Sequence, residues 1–257
     1  MKAHPQVLFL AEDGDRPAMT RALACAGFTQ SYGTFAWRNT KEEVDGFLTA
    51  TNSDAAFWQH NAFWPTTPDS LSNYLRDNDI AGYAVRAVLA AMGSPTWGVC
   101  SGYELVENTQ RAGSEQPAVS ERDEALVRDW GTSDDYGIAE LVASLNTIRL
   151  AHPAARSYHN LTVLPSANPS VLAFARHTPA ACTGTGKPDT LIVVVNLDGY
   201  HEQQSNIHVD LDALGLPTDG TYRVRDELTG REFDWSWDNF VALAPWADVA
   251  HILSVEY

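Results

Sequence analysis

Cysteine is scarce and odd in number: Cys25, Cys100 and Cys182 lie far apart with no CxxC. That argues against a disulfide framework and for free thiols in a reduced, cytoplasmic compartment. Basic side chains are also few. The 17 Lys and Arg stand against 33 Asp and Glu, a formal charge of −16, so no surface for nucleic acid or an anionic membrane is expected. No apolar run approaches the roughly 20 residues a bilayer requires, and the longest, residues 80–92, is interrupted by Arg86. The run at 7–11 is too short for a signal-peptide core and meets Glu12 at once. The eight histidines form no HExxH or other ligand spacing, which leaves no metal site to expect. Gly184-Thr185-Gly186-Lys187 fails as a phosphate loop, because Ala181 stands at the first Gly and Pro188 at the Ser/Thr that would hold magnesium. No internal repeat or low-complexity tract is visible.

What is present is a core and an alternation. Apolar residues make up 44% of the 257 positions, enough for one large domain or two ordinary ones. Residues 7–11 read as a strand covered on both faces, as in parallel sheets, which delivers Glu12 to its carboxyl end. Taken alone, Glu12 reads more simply as the start of a surface loop. Pro17 and Gly27 suit the first turn and the end of a helix over 16–27. Strands follow at 28–37, 55–64 and 96–100, with helices at 41–48 and 81–92. This is the βα alternation of a parallel sheet. Pro65 and Pro68 bracket two threonines and stop the third strand, so Asp69 is presented at its end or in the loop beyond. Residues 108–120 read as a long functional or mobile loop, and 137–152 as a helix ended by Pro153. From Tyr158 the texture changes. Short β runs at 161–164, 171–175, 191–195, 207–211, 222–225 and 252–255 are punctuated by turn residues, as in an antiparallel sandwich. A boundary near 153–160 therefore divides residues 1–155 from an all-β domain at 156–257.

Several stretches carry a resemblance: Phe9-Leu10-Ala11-Glu12 with Arg16-Pro17, Gly27-Phe28-Thr29-Gln30-Ser31-Tyr32, Trp37-Arg38-Asn39-Thr40-Lys41 and Thr67-Pro68-Asp69. Ser101-Gly102-Tyr103-Glu104-Leu105 with Glu107-Asn108 and Arg128-Asp129-Trp130 complete the set. In this order and spacing the chain resembles the GlgE-type α-1,4-glucan:maltose-1-phosphate maltosyltransferases, members of the α-amylase superfamily. The resemblance implies an α/β fold, the C-terminal half of a (β/α)8 TIM barrel from about strand 5 to strand 8 in residues 1–155, followed by an antiparallel β-sandwich domain at 156–257.

It also implies a chemistry: maltosyl transfer from α-maltose 1-phosphate to the non-reducing end of α-1,4-glucan by a retaining double displacement, without metal or organic cofactor. Such enzymes pair a nucleophilic carboxylate with an acid/base about 5–5.5 Å away. Glu12 matches the acid/base and Asp69 the acid that stabilises the transition state. The family's nucleophile is an Asp on the preceding strand, but only eleven residues precede Glu12 and none is Asp. The nucleophile is thus expected to be absent from this chain, which alone would be poorly stable or inactive. Asp13 and Asp15 follow Glu12 where the family has uncharged residues. Arg122 and Asp123 stand where the family uses a Lys-Tyr pair to hold the donor, and Glu104 reads as a structural loop acid. The same resemblance implies a homodimer as one possible assembly of the full-length family, with no warrant to extend it to half a barrel. Two other readings stay open, an α-glucan hydrolase of the same superfamily and a non-catalytic glucan-binding fragment.

Overall fold

The computed structural model describes residues 4, 6–12, 16–110, 112–113, 115, 127–132 and 137–257. Asp13, Asp15, Arg122 and Asp123 lie outside the described residues. In the first part, short strands alternate with helices. β1 (Leu10–Ala11) leads through α1 (Pro17–Ala26) to β2 (Gln30–Ser31), and α2 (Lys41–Thr51) leads to β3 (Ala62–Phe63). α3 (Asn73–Gly93) then leads to β4 (Thr96–Trp97). β1 pairs with β2 and β3 with β4, both in parallel, and a parallel bridge between Ser31 and Asn61 joins the two pairs. The sheet order is therefore sequential, with a helix on every crossover, the arrangement of repeated βαβ units.

Local chemistry sets the helix ends. α1 opens on Pro17 and closes on Gly27 at φ 105°, whose N–H donates to Ala24 O; a left-handed residue there costs glycine little. α2 starts in a capping box. Thr40 Oγ1 accepts from Glu43 N–H, and the Glu43 carboxylate accepts from the N–H groups of Thr40 and Asn39. Those backbone donors hold the Glu43 carboxyl below the usual range. α3 begins at Ser72, whose hydroxyl caps Leu75 N–H, and is broken at Asp79, where φ 47° and ψ −137° separate two helical segments.

Three expectations change here. The strands foreseen over 28–37, 55–64 and 96–100 shrink to two residues each, since 3-10 turns at Phe35–Trp37 and Asp54–Phe57 take part of the apolar runs. The first run is not covered on both faces. Among the described residues β1 has β2 as its one strand neighbour, and Val7, Leu8, Phe9 and Leu10 are 43–66% exposed. Arg86, read as an interruption of an apolar run, is instead fully buried on α3. It donates to the carbonyls of Phe35 and Arg38 with its guanidinium 3.8 Å from the Phe35 ring.

The second part is antiparallel. Nearest the helices, α4 (Ala139–Ala151) packs on α3 and leads through a 3-10 turn, Pro153–Arg156, into β5 (Leu161–Leu164). β6 (Val171–Thr178), α5 (Ala180–Thr183), β7 (Asp189–Asn196), β8 (Gln203–His208), β9 (Tyr222–Asp226), β10 (Glu232–Trp235), β11 (Asp238–Leu243) and β12 (Ala250–Val255) follow. Six strands form one sheet in the order β10-β9-β12-β7-β6-β5, and β8 with β11 forms a two-stranded ribbon. Period-two alternation decides the packing. Leu172, Phe174, Leu191, Val193 and Val195 share a core with Leu89 and Met92 of α3 and with Leu145 and Ile148 of α4. Val171, Ala173, Ile192 and Val194 share a second core with Ile207, Val241 and Leu243 of the ribbon. The large sheet is thus buried on both faces in its middle, and the helical core continues across residues 153–156. Among the described residues, no helix is long and apolar enough to cross a membrane, and no group of three or more His, Cys, Asp or Glu could hold a metal ion.

Candidate active site

The carboxyl ends of β1 and β2 and the loop after β3 meet around one cavity of about 550 Å³. Its lining includes Glu12, Arg16, Tyr32, Trp37, Asp69 and Glu115. Glu12 follows directly on β1 and is exposed. Its position depends on the β1–β2 ladder, in which Tyr32 N–H donates to Ala11 O at 2.8 Å. The same bond puts Tyr32 beside Glu12. Burial pushes the Tyr32 phenol up, and the negative ends of Cys100 and Glu12 add to the effect. At neutral pH the hydroxyl therefore keeps its proton and remains a donor within the cavity.

Asp69 comes from a tight turn. Thr67 and Ser70 exchange backbone hydrogen bonds of 3.2 Å in both directions. Pro68 and Asp69 thus occupy the two central positions, and a proline at the first of these is favoured by its fixed φ. Asp69 N–H donates to Thr67 Oγ1 at 3.3 Å, which fixes the turn from inside. Two outside contacts hold it in place. The Trp37 indole N–H donates to Ser70 Oγ at 3.0 Å, and Leu71 N–H donates to Glu115 O at 2.7 Å. Sequence reasoning therefore placed Glu12 and Asp69 in loops that the fold brings to one cavity, but gave no role to Tyr32, Trp37, Arg16 or Glu115. The first three were visible as motif residues, and Glu115 sat in a loop marked only by its length.

A second layer supports this wall. The Trp64 ring stacks on Tyr32 at 4.8 Å and 7°. Gly98 lies against the Trp64 ring, and a Cβ there would come within 2.5 Å of it. Gly98→Ala is expected to displace Trp64, and with it the stacked Tyr32, and to cost about 1–3 kcal/mol by overpacking. Urea unfolding checks this, and a loss under about 0.5 kcal/mol would mean that the ring pair gives way freely.

The remaining motif stretches meet beside this region. Arg128 makes a two-pronged ion pair with Glu107, at 2.7 Å from Nε and 3.1 Å from Nη2, and donates from Nη1 to Ser101 Oγ at 3.4 Å. Glu104 accepts from Gly102 N–H at 3.1 Å, a contact internal to its turn. Gly102 itself has φ +93°, and a Cβ there would meet the Glu107 carboxylate at 2.2 Å. The turn after β4 thus needs a glycine if Arg128 and Glu107 are to close over it.

A family model described as GLGE, C-terminal, matches residues 163–255. The chain is 64% identical to the α-1,4-glucan:maltose-1-phosphate maltosyltransferase of Bifidobacterium longum over 255 residues, 99% of this chain and 34% of that protein. It is 43% identical to maltosyltransferase 1 of Streptomyces coelicolor over 254 residues, 98% of this chain and 36% of that one. Among solved structures, an α-amylase from Geobacillus thermoleovorans complexed with acarbose aligns at a TM-score of 0.68 and 12% identity, over 98% of this chain and 54% of that one. The cyclomaltodextrin glucanotransferase CldA aligns at 0.69 and 16%, over 100% and 52%. At such identities the structural likeness speaks for the fold alone. The chain is a homologue of the GlgE-type α-1,4-glucan:maltose-1-phosphate maltosyltransferases and spans about a third of the length of the curated relatives it matches.

Proposed function

We propose that this chain supplies the acid/base and the transition-state-stabilising acid of a retaining maltosyl transfer from α-maltose 1-phosphate to the non-reducing end of an α-1,4-glucan. The observation that carries the reading is the convergence of Glu12 and Asp69, the two matched acids, on the lining of one cavity. Sequential parallel strands with helical crossovers, and the likeness to α-amylases, support residues 1–155 as strands 5 to 8 of a (β/α)8 barrel, with 156–257 as its β-sandwich partner. Carboxyl ends of such strands are where barrel enzymes do their chemistry.

In this reading Glu12 first donates its proton to the departing phosphate oxygen. The maltosyl unit passes to a carboxylate nucleophile, and Glu12 then takes the proton from the acceptor glucan's hydroxyl as that oxygen attacks. Asp69 accepts hydrogen bonds from the donor sugar's hydroxyls and steadies the positive charge that develops at the ring. Tyr32, held neutral, donates a hydrogen bond beside Glu12, while the half-exposed Trp37 offers a flat face to a sugar ring. Arg122 and Asp123 are proposed at the donor end. The carboxylate nucleophile is proposed to lie in the part of the relatives' length that these residues do not span.

The test is phosphate release from maltose 1-phosphate in the presence of glycogen. The protein assayed is this chain joined to the upstream two-thirds of the Bifidobacterium longum enzyme. Release with retention of the α configuration is expected. Free maltose formed without any phosphate requirement would point to a hydrolase, and neither product would sink the catalytic reading.

A further inference from the structure

We propose that the outer face of the β8–β11 ribbon is a second, non-catalytic binding platform for an α-glucan chain. The choice of an α-glucan over other neutral glycans rests on the function proposed above; the platform itself does not. The ribbon's inner residues, Ile207, Val241 and Leu243, are buried in the core. Its outer face carries the exposed ring of Phe240, and three further exposed aromatic residues lie on the turns at its ends. In the register Asp238 lies opposite His208, Phe240 opposite Asn206 and Leu243 opposite Gln203. Trp237 therefore stands at one end, Phe240 in the middle and Trp246 at the other end, with Tyr200 on the neighbouring turn. These four rings are 60%, 64%, 71% and 63% exposed. Soluble proteins seldom expose such side chains in a cluster without a ligand to cover them.

The rings are held in place rather than left on loose loops. Trp237 stacks on His208 at 5.6 Å and 16°, and its carbonyl accepts from Val209 N–H at 2.8 Å. The turn beneath it is closed by Ser236 N–H to Asn239 Oδ1 at 2.7 Å and Asn239 Nδ2 to Ser236 O at 2.8 Å. At the far end, Ala247 N–H donates to Ala244 O at 3.1 Å, which makes 244–247 a turn with Pro245 and Trp246 at its centre. Asn196 ties that end together, since its Nδ2 donates to both His201 O and Leu243 O, at 2.9 and 3.0 Å. Rings fixed in advance lose little freedom when a ligand covers them.

Between the rings are groups that match hydroxyls. Asn206 Nδ2 lies 3.0 and 2.9 Å from the two Asp238 oxygens, and the Asn206 side chain is exposed on the same face as Phe240. Amide and carboxylate beside a flat ring suit a pyranose, which has an apolar C–H face and an equatorial rim of hydroxyls. The strand length fits a chain more than a single sugar, as six residues extend about 20 Å.

Charge selects among possible occupants. Residues 198–208 and 236–249 contain no Lys or Arg but do contain Asp198, Glu202 and Asp238; a fourth acid, Asp248, is paired with Arg231 from β10's edge of the patch. An anionic polymer or lipid surface would be repelled. A second copy meeting this face through a twofold axis would set the same acids against one another. A neutral polyol meets neither obstacle.

Affinity electrophoresis of the whole chain in gels containing glycogen tests the proposal. Retardation of the parent chain is expected. The Trp237→Ala/Phe240→Ala double variant should bind about tenfold more weakly or worse, and Trp246→Ala, at the far end, should weaken binding independently. Phe57→Ala, which removes an equally exposed ring elsewhere, should leave retardation as it was. Absence of retardation, or retardation unchanged in the double variant, overturns the platform. So does a dimer in sedimentation velocity that the double variant abolishes without any response to glycogen. Retardation by a β-linked glucan in place of glycogen, lost in the same variant, overturns the α-glucan assignment. Phosphate release by the completed enzyme is a separate readout, so the platform and the transfer reaction fail independently.

Discussion

Phosphate release by the completed enzyme falls roughly 10²–10⁴-fold when Glu12 is replaced by Gln, the range expected for loss of a general acid/base. Gln keeps the size of Glu and can still accept a hydrogen bond, so the exposed position after β1 tolerates it and the fold is undisturbed. What it cannot do is give up or take a proton. Both halves of a double displacement need that proton, first for the leaving phosphate and then from the acceptor. The loss should therefore fall on kcat, with KM for maltose 1-phosphate changed little. A donor whose leaving group needs no protonation, such as a maltosyl fluoride, should restore the first step in the Glu12→Gln protein but not the second, so that maltosyl-enzyme accumulates. If Glu12 merely opens a surface loop, the substitution changes turnover less than twofold. That result would remove the residue from the mechanism.

How much of this was legible depends on how local each signal is. Pro17 and Gly27 mark α1 correctly because both act through their own φ angles. The strand core of the second part was equally readable, since continuous apolar runs such as Leu191-Ile192-Val193-Val194-Val195 are buried on both faces. β10 and β11 were missed. Their outward positions carry Glu232, Asp234 and Asp238, which break up the apolar pattern though the inward residues Trp235, Val241 and Leu243 are buried. The lengths of β1 to β4 were also hidden, because apolar runs mark burial and hydrophobic character, whereas a ladder ends where its neighbour ends. Among site residues, Glu12 and Asp69 stood out through their strand-end and Pro-Asp contexts. Tyr32 and Trp37 did not. Their relevance arises only when β2 and its following turn pack against the Thr67–Ser70 turn, a tertiary event with no local mark. The same holds for Arg86, whose charge reads as an interruption in sequence and as a carbonyl clamp in space.

Arg176 is the extreme case of such a clamp, and its removal is expected to be the most destabilising single substitution among those considered. It lies in β6, fully buried, in a strand whose sequence looks like an ordinary core segment. Its guanidinium donates to Ala154 O at 2.9 Å, Met92 O at 2.8 Å and Asn160 Oδ1 at 2.8 Å, and also to Ser157 O. Met92 is in the last turn of α3, where four carbonyls lack helical partners and the helix dipole favours a cation. Arg149 serves the same helix end, reaching Ala91 O, Pro95 O and, at 2.9 Å, Ser94 O. Burial pushes the Arg176 guanidinium down to about 9, with the like charge of Arg149 adding to it. At neutral pH it stays protonated and keeps all its donors. Arg176→Ala would leave these acceptors without a donor inside a cavity, at a cost of about 3–5 kcal/mol. That is a large part of the roughly 5–15 kcal/mol that holds a domain folded. Arg176→Met fills the space but restores no donor, so it should recover little; Arg176→Lys keeps one charged donor and should recover part. Urea unfolding followed by tryptophan fluorescence gives the ranking. A cost under about 1 kcal/mol for Arg176→Ala would mean that water replaces the guanidinium at these carbonyls. In that case the apolar contacts between α3, α4 and the sheet, rather than the arginine, join the helical part to the strands.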